Sequence, residues 1–249
     1  MYTLSTPGPV AARQGSPHPH QALFDPTWKY VVVPDLGADL VRTYSAASDS
    51  LSLTELNAYD SLPGAGPRHG VFSLSGKYYY LMNELSNVIE VFEVSYTPVI
   101  TLTRVDSISV YPAGTPAIVN ATSAEIAISH DGKYLYSSNR LDGTFPDARV
   151  APPPSTETVL SDSISVFSIK KDGKLVFLEQ SPVGGQMPRH FSIDPQQDGM
   201  YVAVATQLTG RIAIYKRDKH SGKLDKVPVA SIDLTAFGVT EPICVTWLD

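Results

Sequence analysis

Val71-Phe72-Ser73-Leu74-Ser75-Gly76-Lys77-Tyr78-Tyr79-Tyr80-Leu81 (residues 71–81) reads as a short apolar strand, a glycine turn and an aromatic strand. Short β-branched or aromatic runs bounded by turn residues are the sequence sign of strands. The same frame returns at Ile126-Ala127-Ile128-Ser129-His130-Asp131-Gly132-Lys133-Tyr134-Leu135-Tyr136. In both copies a Gly-Lys-Tyr triplet leads out of the turn.

Working outward, the copy around Phe72 continues with Val88–Val94 and Val99–Leu102, each a further strand. An earlier copy is built from Ala22–Phe24, Lys29–Val33, Leu40–Tyr44 and the alternating run Leu51–Leu56. Alternation of apolar and polar residues marks a half-buried strand. The copy around Ile128 adds Ser163–Ile169 and Leu175–Leu178. A fourth holds Phe191–Asp194, Met200–Val204, Arg211–Tyr215 and Val227–Ala230. The copies occupy about 18–62, 66–118, 123–182 and 187–234, and 242–248 looks like the first strand of a fifth. Four-stranded units repeating every 40–50 residues or so predict a β-propeller. The expected architecture is therefore all-β, one incomplete propeller domain over 1–249, with four to five blades. Residues 141–162 interrupt the third copy with Pro146, Pro152, Pro153 and Pro154. Proline at that density excludes a central strand and predicts a long exposed loop.

Composition narrows the function. The formal net charge of −6 argues against nucleic acid as a partner, since that affinity rests on clustered Lys and Arg. No run reaches the length of a membrane span, and the opening residues lack the basic and apolar regions of a signal peptide. Cys244 is the one cysteine, which excludes an internal disulfide and a thiolate metal site and suits a cytoplasmic setting. Its apolar neighbours predict a buried thiol. His130 and His220 fall in turns and are expected at the surface.

Superposing the copies on Phe24, Phe72, Ile128 and Ile193 makes His20, Arg68, Ala124 and Arg189 equivalent, each four residues before its anchor. In a propeller such positions open onto the central channel. The loop after the second strand returns to the same face, where Glu84 is equivalent to Leu36, Arg140 and Gln207. One channel mouth is thus expected to collect His20, Arg68, Glu84 and Arg189, with His69, Asn83, Glu125, Asn139 and His190 around them as substrate contacts. Two guanidiniums, an imidazole and a carboxylate suit a small anionic ligand, because the arginine fork grips carboxylate or phosphate bidentately. His20 and Glu84 are the candidate bases. His18, two residues from His20, would point away from it along an extended segment.

At these residues the chain resembles a known family. His-Pro-His-Gln followed by Asp-Pro (18–21, 25–26), Val-Pro-Asp-Leu-Gly-Ala-Asp (33–39), Gly-Pro-Arg-His (66–69), Asn-Glu-Leu-Ser-Asn (83–87), Ala-Glu-Ile (124–126), Ser-Asn-Arg (138–140) and Pro-Arg-His-Phe (188–191) are similar to the seven-bladed β-propeller lactonases. That family includes bacterial-type 6-phosphogluconolactonase and the fungal carboxy-cis,cis-muconate cyclase, and the flavour here is fungal. The resemblance implies His20, Arg68, Glu84 and Arg189 as catalytic residues, and a chain shortened at its N-terminal side. It departs from the family at Ala127, where a histidine is common.

The implied activity is a metal-free lactonase, a hydrolase of carbohydrate metabolism acting on a phosphorylated or carboxylated lactone without a cofactor. The alternatives are the lactonising isomerase reaction on a muconate, and a non-catalytic interaction module. A calcium-dependent propeller would need oxygen ligands where this chain places cations. Open blade edges would favour self-association.

Overall fold

The computed structural model describes residues 2–4, 6–47 and 52–248. Four four-stranded antiparallel sheets form the framework, distributed over two compact units. The first unit is Met1–Ser109 with Lys171–Lys174, and the second is Val110–Lys170 with Leu175–Asp249.

In the first unit, β1 (Leu23–Phe24), β2 (Tyr30–Asp35), β3 (Leu40–Ala46) and β4 (Leu53–Asp60) form one meander. A second follows from β5 (Pro67–Phe72), β6 (Tyr78–Asn83), β7 (Val88–Ser95) and β8 (Thr101–Ser109). Leu51, placed in the fourth strand by its alternation, lies outside the described residues. The inner strands read as continuous apolar runs because both faces are covered, whereas the edge strand β4 is largely exposed. Val32 and Val41 of one sheet pack with Phe72, Tyr79, Leu81 and Phe92 of the other. Gly70 makes that packing possible: a Cβ there would sit 2.1 Å from the Tyr79 hydroxyl, so only glycine lets the buried ring lie against the strand.

The second unit carries β9 (Thr122–Ile128), β10 (Tyr134–Arg140), the inserted hairpin β11 (Phe145–Arg149) and β12 (Thr158–Ser161), then β13 (Ser163–Ile169) and β14 (Leu175–Pro182). Its last sheet is β15 (Pro188–Ile193), β16 (Tyr201–Thr206), β17 (Arg211–Lys216) and β18 (Ala230–Asp233). Tyr136, Ile164 and Val166 meet Phe191, Val202, Val204 and Tyr215 in its core.

Four expectations change. The proline-rich insertion is not a bare loop: Phe145–Arg149 pairs with Thr158–Ser161 as an isolated two-stranded ribbon, in which Pro146 needs no central-strand partner. The last strand starts at Ala230 rather than Val227, since Pro228 has no N–H to give to a ladder. Residues 242–248 are not a strand. They lie beside β15 through side-chain bonds, Ser192 Oγ donating to the Val245 carbonyl (2.9 Å) and Trp247 Nε1 to the Ser192 carbonyl (3.2 Å). Cys244 is consequently exposed, not buried.

Two carboxylates anchor the insertion. Asp162 is fully buried and accepts the backbone N–H groups of Leu141 (2.8 Å), Gly143 (2.9 Å) and Met187 (2.7 Å). Asp142, hydrogen-bonded by Ser163 Oγ, is pushed up to about 6, chiefly by burial, with the charge of Asp162 adding to the effect. The folded chain therefore holds this proton more tightly than the unfolded chain does. Its contribution favours folding below the ordinary value of 3.8 and is lost as pH rises through about 6. Unfolding free energies of the wild type and Asp142→Asn, compared by denaturant titration across this range, are expected to converge in acid. At neutral pH the variant gains relative to the wild type. Parallel curves would refute the assignment.

Candidate functional site

The registers contain a feature that strand prediction does not reveal. In the first unit, Pro67 pairs with Asn83 but His69 pairs with Met82, so Arg68 is an extra residue in its ladder. In the second, Pro188 pairs with Thr206 and His190 with Ala205, leaving Arg189 in the same position. A one-residue shift also falls between Ser123↔Asn139 and Ile126↔Ser137, and between Pro19↔Asp35 and Leu23↔Val32. A bulge bends a strand and re-aims one side chain. Each innermost strand thus presents an irregular segment at the start of its sheet, and those segments carry His20, Arg68, Glu125 and Arg189.

In the first unit this geometry assembles a compact polar group. His20 Nδ1 lies 3.0 Å from His69 Nε2, with the rings edge-on and their centroids 4.9 Å apart. One nitrogen must donate and the other accept, so the two imidazoles share a proton. The His20 N–H donates to the Pro34 carbonyl (3.0 Å), and Gln21 Oε1 accepts the Gly70 N–H (2.8 Å), fixing both segments. His18 is elsewhere, with its ring against Ser16 Oγ.

Glu84 follows β6 directly, and its N–H donates to the Gly66 carbonyl (2.7 Å). Both carboxylate oxygens are occupied by guanidiniums: Oε2 by Arg68 Nε at 2.9 Å and Oε1 by Arg13 Nη2. Arg68 and Glu84 are almost fully buried, whereas Arg13 reaches in from a half-exposed position. Arg13 precedes the first repeat and so has no periodic counterpart to draw attention to it. Its neighbour Gln14 holds that segment in place, with Nε2 donating to the Leu36 carbonyl (3.0 Å) and to Asp39 Oδ1 (2.7 Å).

Asn83 was expected to touch a ligand, and the structure corrects this. Its side chain is wholly buried, Oδ1 accepting from Ser61 Oγ (3.0 Å) and Nδ2 donating to the Val88 carbonyl (3.2 Å) and Glu90 Oε2 (3.0 Å). Arg104 Nη1 closes the network on Glu90 at 2.7 Å. Asn83 therefore sets the turn that presents Glu84. Asn139 is corrected likewise: it is fully buried and donates to Ser163 Oγ and Ser165 Oγ, both at 2.9 Å.

The second unit holds the remaining candidates. Glu125 is buried at the irregular segment of β9, its N–H donating to Ser138 Oγ (3.0 Å), and Oε2 stands 3.6 Å from His190 Nε2. His190 Nδ1 accepts the Val245 N–H at 3.4 Å. Arg189 differs from Arg68. It is half-buried on its bulge, yet makes no ion pair or side-chain hydrogen bond among the described residues. A partly desolvated guanidinium without a protein carboxylate is suited to an external anion. Among the described residues no group of three or more His, Cys, Asp or Glu could hold a metal ion.

The chain is similar to known proteins. The family model described as Lactonase, 7-bladed beta-propeller matches residues 1–247. The chain is 35% identical, over 99% of its length, to a probable 6-phosphogluconolactonase of Arthroderma benhamiae, of which it covers 58%. To the 6-phosphogluconolactonase of Bacillus subtilis it is 33% identical over 95% of its length, covering 59% of that protein. Among solved structures, a Lactobacillus plantarum protein superposes with a TM-score of 0.79 at 31% identity, covering all of this chain and 64% of the other. A periplasmic gluconolactonase of Pseudomonas aeruginosa gives 0.76 at 28% identity, covering 93% and 58%. The chain thus spans somewhat more than half the length of the curated relatives it matches.

Proposed function

Because the chain belongs to the seven-bladed β-propeller lactonase family, we propose that it hydrolyses the internal ester of a lactone bearing an anionic group, with 6-phosphogluconolactone as the first substrate to test. The observation that carries this reading is the His20–His69 imidazole pair. An imidazole oriented by a hydrogen bond at one ring nitrogen is equipped to move a proton at the other. His20 Nε2 is assigned the proton of the attacking water, and His69 holds the ring and shares the positive charge that forms. Water adds to the lactone carbonyl, the oxyanion is stabilised by guanidinium charge, and collapse breaks the ring C–O bond. The proton on His20 then passes to the departing ring oxygen, leaving the hydroxy acid.

Glu84 is given a different part. Its oxygens pair with the guanidiniums of Arg13 and Arg68, and it is assigned the part of positioning Arg68, with the proton left to His20. Glu125 and His190 form a second positioning pair. Arg189 is assigned the anionic group of the substrate.

Arg189→Ala is accordingly expected to raise KM for 6-phosphogluconolactone by about 10–100-fold, the equivalent of one or two charge-assisted hydrogen bonds, with a much smaller effect on kcat. Steady-state kinetics on the wild type and the variant measure this. An unchanged KM would remove Arg189 from substrate binding. Conversion of carboxymuconate to its lactone, without lactone hydrolysis, would replace the hydrolase assignment by the cyclase. We assign the activity to the cytoplasm, a reducing compartment that suits a chain with a single cysteine; recovery in another fraction on cell fractionation would contradict this.

A further inference from the structure

At the opposite end of β15 from Arg189, the second unit carries a polar cavity of about 520 Å³. It lies among the β9–β10 turn, the β15–β16 turn and the loop after β17, and none of its residues belongs to the proposed lactone site. Its floor is Arg217, whose side chain is about 1% exposed. Nε donates to the Tyr136 hydroxyl (2.7 Å), and Nη1 to the carbonyls of Asp198 (3.3 Å) and Gly199 (3.2 Å). Nη2 makes no hydrogen bond among the described residues, and its nearest charge is Asp131 Oδ1 at 3.8 Å. The guanidinium is thus held rigidly by two of its nitrogens while the third retains donor capacity. Lys133 and Lys219 add two ammoniums at the rim, and the exposed rings of His130 and His220 complete it.

Two carboxylates share the cavity, but neither neutralises it firmly. Asp131 is committed to its own turn, accepting Ser129 Oγ (2.7 Å) and the Lys133 N–H (3.2 Å). Its ion pair with Lys133 is 3.4 Å long, and that of Asp198 with Lys219 is 3.7 Å, both between well-exposed side chains. Exposed pairs of this kind are worth about 0–1 kcal/mol and yield readily to a better partner. Three cations against two weakly engaged carboxylates leave a local positive excess on a chain whose formal net charge is −6.

We propose that this cavity is a second anion site, built for a small phosphate-bearing molecule. A buried, pre-oriented guanidinium flanked by mobile ammoniums is the donor set that recognises a phosphate dianion, and the volume lies in the range of small-ligand sites. The proposal is independent of the lactonase reading.

Titrating the full chain with inorganic phosphate, and separately with glucose 6-phosphate, while following backbone amide resonances tests it. Saturable shifts at Lys133, Gly199 and His220 are expected at about millimolar concentration or below. Saturation by both probes indicates recognition of the phosphate itself, and tighter binding of glucose 6-phosphate indicates a site for a phosphorylated metabolite. In the Lys133→Ala/Lys219→Ala variant, two charge-assisted contacts are lost and affinity falls roughly 10-fold or more, while lactone hydrolysis is unchanged. Both lysines are exposed, so the variant keeps its fold. Absence of saturable shifts at these amides, or equal affinity in the variant, would overturn the proposal. Shifts near Arg189 alone would do so too, since they report the other site.

Discussion

Replacing His20 with alanine lowers kcat for 6-phosphogluconolactone hydrolysis by about 10²–10⁴-fold, the usual range for losing a positioned proton-transfer group. KM changes little, because the anion is assigned to Arg189 and not to the imidazole. The fold survives, since His20 is partly exposed and lies in a segment held by backbone bonds such as that to Pro34. His69→Gln separates a positioning role from a purely structural one. It keeps a hydrogen-bonding group beside His20 Nδ1 but cannot share a proton through a ring, so the pH–rate profile moves while thermal stability does not. Glu84→Gln, by contrast, is expected to act more on stability than on the proton-transfer step. If Glu84→Gln abolished turnover at normal stability while His20→Ala left kcat intact, the roles assigned to the two residues would have to be exchanged.

The second large effect is on folding. Arg68→Ala removes one of the two guanidiniums paired with the buried Glu84 carboxylate, and breaking one side of a buried ion pair costs about 3–5 kcal/mol. Arg13 still engages Oε1 from a half-exposed position, which places the expected loss toward about 3 kcal/mol, or about 6–12 °C in Tm for a chain of this size. The double variant Arg68→Ala/Glu84→Gln removes the stranded charge and recovers part of that loss. A thermal melt of the three proteins measures the difference. Equal stability of Arg68→Ala and wild type would mean that water, not Arg68, solvates the carboxylate.

Much of the architecture is legible in the chain because a propeller repeats its own grammar. Ser163–Ile169 is bounded in the structure as its apolar run suggests, and the Gly-Lys-Tyr turns separate the first two strands of two sheets. Where the reading fails, a local rule is overridden by something that sequence spacing does not encode. Proline in the insertion forbids a central strand but not an isolated ribbon, so Phe145–Arg149 pairs after all. The apolar neighbours of Cys244 suggest burial, yet the segment stays outside any sheet and its thiol faces solvent.

The candidate site shows the same division. Counting from the repeat anchors brings His20, Arg68 and Arg189 to equivalent positions, and the bulges explain why polar side chains are tolerated there. The bulges themselves are invisible in the sequence, because an extra residue in a ladder alters register and not composition. Asn83 and Asn139 share the spacing of the ligand-facing positions, but a residue at or beside the end of an inner strand is buried by its neighbouring strands, and their amides are used within the sheets. Arg13 lies before the first repeat, so no superposition of copies could reveal its contact with Glu84.

Acid release from 6-phosphogluconolactone, followed against the spontaneous reaction in the presence of this 249-residue chain, tests the central claim most directly. Acceleration proportional to protein concentration is expected, and a loss of about 10²–10⁴-fold in His20→Ala. A folded wild-type chain that leaves the spontaneous rate unchanged would contradict it.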